Sequence, residues 1–167
     1  MNKVFEVIEA KKIFNLESKK LDIIIHPKSH IHAIVHFKTG LTKFLAHETT
    51  MEIPIINSLY KNNEKFSFNN KDFNYLKFNG INFLKPDTKT FPLLKILKYD
   101  FNGTFFEIIL VCINDVLVNL YLKNSINYIS IHKLLLKLLK KPYFTSYYDK
   151  SPKNIKEIEN MVKKVKK

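Results

Sequence analysis

Two short stretches of this 167-residue chain carry residue types that can do chemistry. The first is Asn2-Lys3-x-x-Glu6. An amide and an ammonium at a helix start both donate to an anionic oxygen, and the positive end of the helix adds to them. Glu6 stands three residues on from Lys3 and so faces the same side of a helix. Its carboxylate could hold a cation beside a bound phosphate or polyol. The same spacing also describes an ordinary ion pair at a frayed surface terminus, and spacing alone leaves both readings open. The second stretch is His26-Pro27-Lys28-Ser29-His30-Ile31-His32, with His36 beyond. Four imidazoles so close together suggest a metal. On a strand, His30, His32 and His36 share one face because their spacings are even. A zinc site, however, usually draws ligands from more than one element and needs partners behind each ligand. All four histidines come from one stretch, so a polar strand end or an interface is the plainer expectation. His47 and His132 stand alone and read as structural or exposed.

Other chemistries have no local source. The chain has three glycines, Gly40, Gly80 and Gly103, so neither a G-x-G-x-x-G nor a G-x-x-x-x-G-K phosphate loop can exist. No Asp-x-Glu pair is present to supply a second or third carboxylate next to Glu6. Cys112 is the single cysteine. It lies in an apolar run and reads as a small buried hydrophobe that cannot form an internal disulfide.

These candidates need elements to position them. Val4 to Leu16 has near-helical apolar spacing and starts almost at Met1, without room for a capping turn. Leu21 to His26 reads as a buried strand. Ile31 to Phe37 and Leu41 to Ala46 read as a hairpin turning at Gly40. Met51 to Tyr60 fits a short helix, with Pro54 tolerated in its first turn. Lys61 to Lys71 is polar and rich in asparagine, and reads as a loop. Tyr75 to Pro86 suggests short extended pieces. Helical patterns follow from Pro92, over Phe105 to Leu122, over Ile131 to Leu139, and from Pro152 through Ile155, Ile158 and Val162. Phe105 to Leu122 has a strand alternative, because Ile108 to Val111 is rich in β-formers. The fold expected is α/β (α+β): a partial catalytic domain with a short antiparallel sheet over 1–60, a linker over 61–89, and a small helical bundle over 90–167.

Composition narrows the class. Hydrophobic residues make up 46% of the chain, enough for a packed core and too many for a disordered tail. The longest apolar runs, such as Ile108 to Ile113, fall far short of the roughly 20 residues of a membrane span. A reducing, cytoplasmic setting is expected. The net charge of +13 raises nucleic acid as a partner, yet all 28 basic residues are lysine. Without arginine forks a specific nucleic-acid reader is not expected.

The residues Met1-Asn2-Lys3-x-x-Glu6-Val7-Ile8-Glu9-Ala10, then Ile13-Phe14, then Ile25-His26-Pro27-Lys28-Ser29-x-Ile31-His32 resemble the 1-deoxy-D-xylulose 5-phosphate reductoisomerase family. The likeness continues through Gly40, Met51 with Pro54-Ile55, Pro86-Asp87, Phe91-Pro92-Leu93 and Asn114-Asp115. It covers essentially the whole chain, from the middle of the family's catalytic domain to its C-terminus. It implies an enzyme of the non-mevalonate isoprenoid route. Such an enzyme uses NADPH and a divalent cation, Mn or Mg, to convert its phosphosugar substrate to 2-C-methyl-D-erythritol 4-phosphate. By motif, Asn2, Lys3, Glu6 and Ser29 would contact substrate, Glu6 would be one of three carboxylate metal ligands, and Met51 would lie near the nicotinamide. The other two ligands, the NADPH-binding domain and a tryptophan-bearing lid would precede Met1. The resemblance thus implies a truncated enzyme, inactive alone, and a homodimer in the full-length family. An N-terminal half supplied by another chain, or a non-enzymatic interaction module derived from the fold, would fit the same residues.

Overall fold

The structure, a computed structural model, describes residues 1–60, 74–99 and 103–167. The loop expected over Lys61 to Lys71 lies outside the described residues. The chain forms two compact units, Met1–Leu21 with Asp87–Lys167, and Asp22–Pro86.

The first unit is helical. Its centre is α3 (Phe105–Leu122), capped by the Thr104 hydroxyl, which accepts from the Phe106 amide. Phe106, Ile109, Leu110, Ile113 and Leu117 are buried. Their spacing is that of one helix face, so 18 residues of continuous period outweigh the locally β-rich Ile108 to Val111. By length and composition α3 is the one described helix apolar enough to cross a membrane. Here α4 (Tyr128–Leu138) and α6 (Ile155–Lys166) pack on it, and it is the core helix of a bundle. Asn127 caps α4 and Asn154 caps α6, each accepting from an amide three residues on. That cap places the start of α6 after Pro152, which stays outside the helix. The short α5 (Pro142–Thr145), with Pro142 in its first turn, was not among the expected helices. It brings Phe144 and, just beyond, Tyr148 into the core. The Tyr148 hydroxyl donates to the Leu139 carbonyl at 2.6 Å, and its ring stands edge-on to Phe106. Burial pushes this phenol well above its usual range.

Helix α1 (Asn2–Phe14) belongs to the same unit. The sequence reading grouped it with the hairpin as residues 1–60. Its packing goes elsewhere, because Val4 is fully buried and Phe5 and Ile8 lie against the bundle core. Asn15 ends α1 in the left-handed conformation. Pro92 opens a helical segment as expected, but Pro92–Lys98 winds as a tighter 3₁₀ helix that buries Ile96.

In the second unit, β1 (Ile31–His36) and β2 (Thr42–Ala46) pair antiparallel around Gly40, whose φ of 86° suits only glycine at no cost. The strand expected over Leu21 to His26 is reduced to a single bridge, Ile25 with Leu84. One reason is local: the Asp22 carboxylate takes the Ile23 amide at 2.8 Å, a bond that competes with a ladder. Helix α2 (Glu52–Leu59) follows, with Pro54 in its first turn. The order is therefore a short two-stranded antiparallel sheet followed by a helical bundle.

Candidate functional site

The start of α1 gathers two polar side chains on one carboxylate. Asn2 Nδ2 donates to Glu6 Oε1 at 2.9 Å, and Lys3 Nζ donates to Glu6 Oε2 at 2.6 Å. They meet because positions 2, 3 and 6 fall on one side of a helix. That side is fixed by the opposite one: Val4 and Lys11 are buried and Ile8 is packed against the core, so Asn2, Lys3 and Glu6 point outward. The Lys3 and Glu6 side chains are 59% and 44% exposed. Such an exposed pair adds about 0.5 kcal/mol or less to stability, so folding alone gives little reason for it. Further along the helix, Ile13 and Phe14 are also exposed.

Ser29 is exposed in the second unit, just before β1. Its amide donates to the His26 carbonyl at 2.9 Å, closing a turn over Pro27 and Lys28. Its φ is +55°, a left-handed conformation that costs a residue with a Cβ about 1 kcal/mol. The His26 ring holds the exit of the turn, since its Nδ1 accepts from the Ile31 amide at 3.2 Å.

The even spacing of the histidines does not survive folding. Pairing runs Ile31 with Ala46 and then Ala33 with Leu45, so His32 is the extra residue of a β-bulge. A bulge resets the in-out alternation, and His30, which precedes β1, is outside the ladder. His32 stacks flat on His47, ring centres 3.7 Å apart, and its Nε2 lies 3.3 Å from the His47 carbonyl. His36 bonds to Thr42 across the hairpin. His30 sits edge-on to Phe78. Among the described residues no three His, Cys, Asp or Glu side chains come together as metal ligands. His47, read from sequence as isolated, is therefore a partner within the hairpin.

Met51 caps the start of α2 without a side-chain bond and is 70% exposed. Sequence reading missed the pair Lys12–Glu107. It joins α1 to the first turn of α3, and no local spacing signals it.

A profile described as the DXP reductoisomerase C-terminal domain matches residues 47–167. A 1-deoxy-D-xylulose 5-phosphate reductoisomerase of Pelagibacter ubique is 48% identical over 162 residues, covering 96% of this chain and 42% of that protein. Its counterpart in Sulfurihydrogenibium sp. is 37% identical over 142 residues, covering 84% and 38%. Among solved structures, a DOX-P reductoisomerase in complex with NADPH, fosmidomycin and magnesium superimposes with a TM-score of 0.84 at 26% identity. That match covers 99% of this chain and 41% of the other. The chain thus spans about two fifths of the length of the relatives it matches.

Proposed function

Because this chain belongs to the DXP reductoisomerase family through a C-terminal domain that matches most of its length, we propose that it is the C-terminal part of a 1-deoxy-D-xylulose 5-phosphate reductoisomerase. The reaction is the NADPH-dependent rearrangement and reduction to 2-C-methyl-D-erythritol 4-phosphate. The observation that carries this reading is the outward-facing trio on α1, with the Asn2 amide and the Lys3 ammonium both turned onto Glu6. Lys3 brings a point charge to the phosphosugar, Asn2 an oriented amide, and Glu6 a hard carboxylate oxygen. Ser29 adds a hydroxyl beside the substrate, and Met51 an apolar contact near the nicotinamide.

The fit of a divalent cation is partial. Glu6 is the right kind of ligand and is accessible, but a hard cation takes about six oxygens and no cluster among the described residues supplies them. On the family reading the remaining ligands belong to the N-terminal part of the enzyme, whether in the same chain or another. When bound, a Mn or Mg ion polarises substrate oxygens. To hold a cation Glu6 would have to give up its bond to Lys3, which would leave the ammonium for the substrate. Neither NADPH nor the cation binds well to these residues alone. The setting is cytoplasmic, with no specific nucleic-acid partner and no membrane role.

Ser29→Gly tests one residue of the site. Glycine relieves the φ of +55°, so the variant should be more stable by about 1 kcal/mol. The enzyme should nevertheless bind substrate more weakly, because the hydroxyl is gone. Thermal melting and KM in the assembled enzyme separate the two. A gain in stability with KM unchanged would remove Ser29 from the site.

The hairpin carries the homodimer expected of the family. In the structure Ile31 and Ile34 are half-buried, while Val35, Phe37, Leu41, Phe44 and Leu45 are exposed. A two-stranded sheet with apolar residues left in water is marginal alone and invites pairing. Light scattering at high concentration should give a dimer, and Val35→Lys should shift it toward monomer. A clean monomer before any substitution would count against this surface.

A further inference from the structure

We propose that Lys12 and Glu107 are positioning residues, a cross-element pair that sets the roll of α1 and so aims the Asn2-Lys3-Glu6 trio. The inference rests on the functional reading above. Lys12 Nζ lies 2.5 Å from Glu107 Oε2. The Glu107 side chain is 11% exposed and sits in the first turn of α3, whereas the Lys12 side chain is half in water. A carboxylate so deeply placed needs a partner, and removing the partner leaves a buried charge with nothing to offset it. Lys12 is therefore drawn to one place on the bundle.

That anchor matters because the apolar grip on α1 is thin at its C-terminal end. Val4 is buried and Phe5 and Ile8 pack against the core, but Ile13 and Phe14 at the end of the helix are exposed. Apolar contacts along a single stripe set which side of a helix faces its neighbours, but they are non-directional and hold the finer rotation about its axis loosely. Lys12 lies one third of a turn from Lys11, which is itself buried. A directional pair at the flank of the buried stripe adds a constraint on that rotation. Rotation of α1 would swing Asn2, Lys3 and Glu6 together, and misplacement of a catalytic group by about 1 Å can cost a hundredfold in rate.

Two readouts test this independently of each other. In the 167-residue chain, Lys12→Met should speed amide exchange over residues 2–14 by about tenfold, with α4, α6 and α3 beyond its first turn unchanged. Lys12→Arg should keep the slow exchange, and adding Glu107→Gln to Lys12→Met should speed it little further. Unchanged exchange in α1, or equal loosening of every helix, would overturn the positioning role. In the enzyme completed with an N-terminal part, Lys12→Met should lower kcat by about threefold to tenfold, with recovery in Lys12→Arg. Loosened α1 with full activity would also overturn it. Failure of the functional reading shows separately, as a completed enzyme that tolerates Glu6→Gln.

Discussion

Glu6→Gln should lower kcat by about a hundredfold or more in an enzyme completed from these 167 residues and the N-terminal part of the 48%-identical relative. A hundredfold is about 2.7 kcal/mol of transition-state stabilisation, within the several kcal/mol that a cation's charge contributes at such a centre. Glutamine keeps the shape of Glu6, though its single amide oxygen can accept from only one of the two donors, Asn2 and Lys3, that meet the carboxylate on α1. It loses the negative charge, which is what a hard cation binds. Lys3→Ala should behave differently, raising KM more than it lowers kcat, because the ammonium contributes binding to the phosphosugar both before and during the reaction. The contrast between the two variants matters more than either value. Equal loss in both would mean that the first turn of α1 was merely disordered.

Leu110→Ala should cost the bundle about 3–5 kcal/mol, a large share of the total stability of an ordinary domain. Leu110 is fully buried on the inner face of α3, among Phe106, Ile109 and Ile113. Its removal leaves a cavity between elements that cannot close without moving α3 against its neighbours. Urea denaturation followed by circular dichroism measures the loss as a lower midpoint. Because α1 packs on the same core, the trio on its outer face should also become mobile before global unfolding. A loss below about 1 kcal/mol would mean that the packing around α3 is looser than its burial indicates.

The helices of the bundle were legible because their signals are local. Apolar periodicity carried them, whereas the caps Asn127 and Asn154, which set where α4 and α6 begin, were not read. In α3 the length of the period settled a helix against a short β-rich stretch. The trio on α1 was legible for the same reason, since all three residues fall within one and a half turns. What was missed depends on partners distant in sequence. The bulge at His32 exists only in how β1 and β2 pair, so strict alternation put three histidines on one face where the structure does not bring them together. Leu21 to His26 has the composition of a buried strand but finds a ladder partner only at Leu84. Lysine is read as a surface residue, yet Lys11 is buried and Lys12 reaches a nearly buried carboxylate on another helix. The roles proposed for Ser29 and Met51 rest on family resemblance alone, because one exposed serine and one exposed methionine carry no chemical signature of their own.

The most direct measurement joins these 167 residues, as one chain, to the N-terminal part of the Pelagibacter ubique relative and follows NADPH oxidation with 1-deoxy-D-xylulose 5-phosphate and magnesium. The joined protein should turn over, the 167 residues alone should not, and Glu6→Gln should remove most of the turnover. A joined protein that is folded by circular dichroism and melts cooperatively, yet oxidises no NADPH, would contradict the assignment of these residues to the enzyme, as would turnover by the 167 residues on their own.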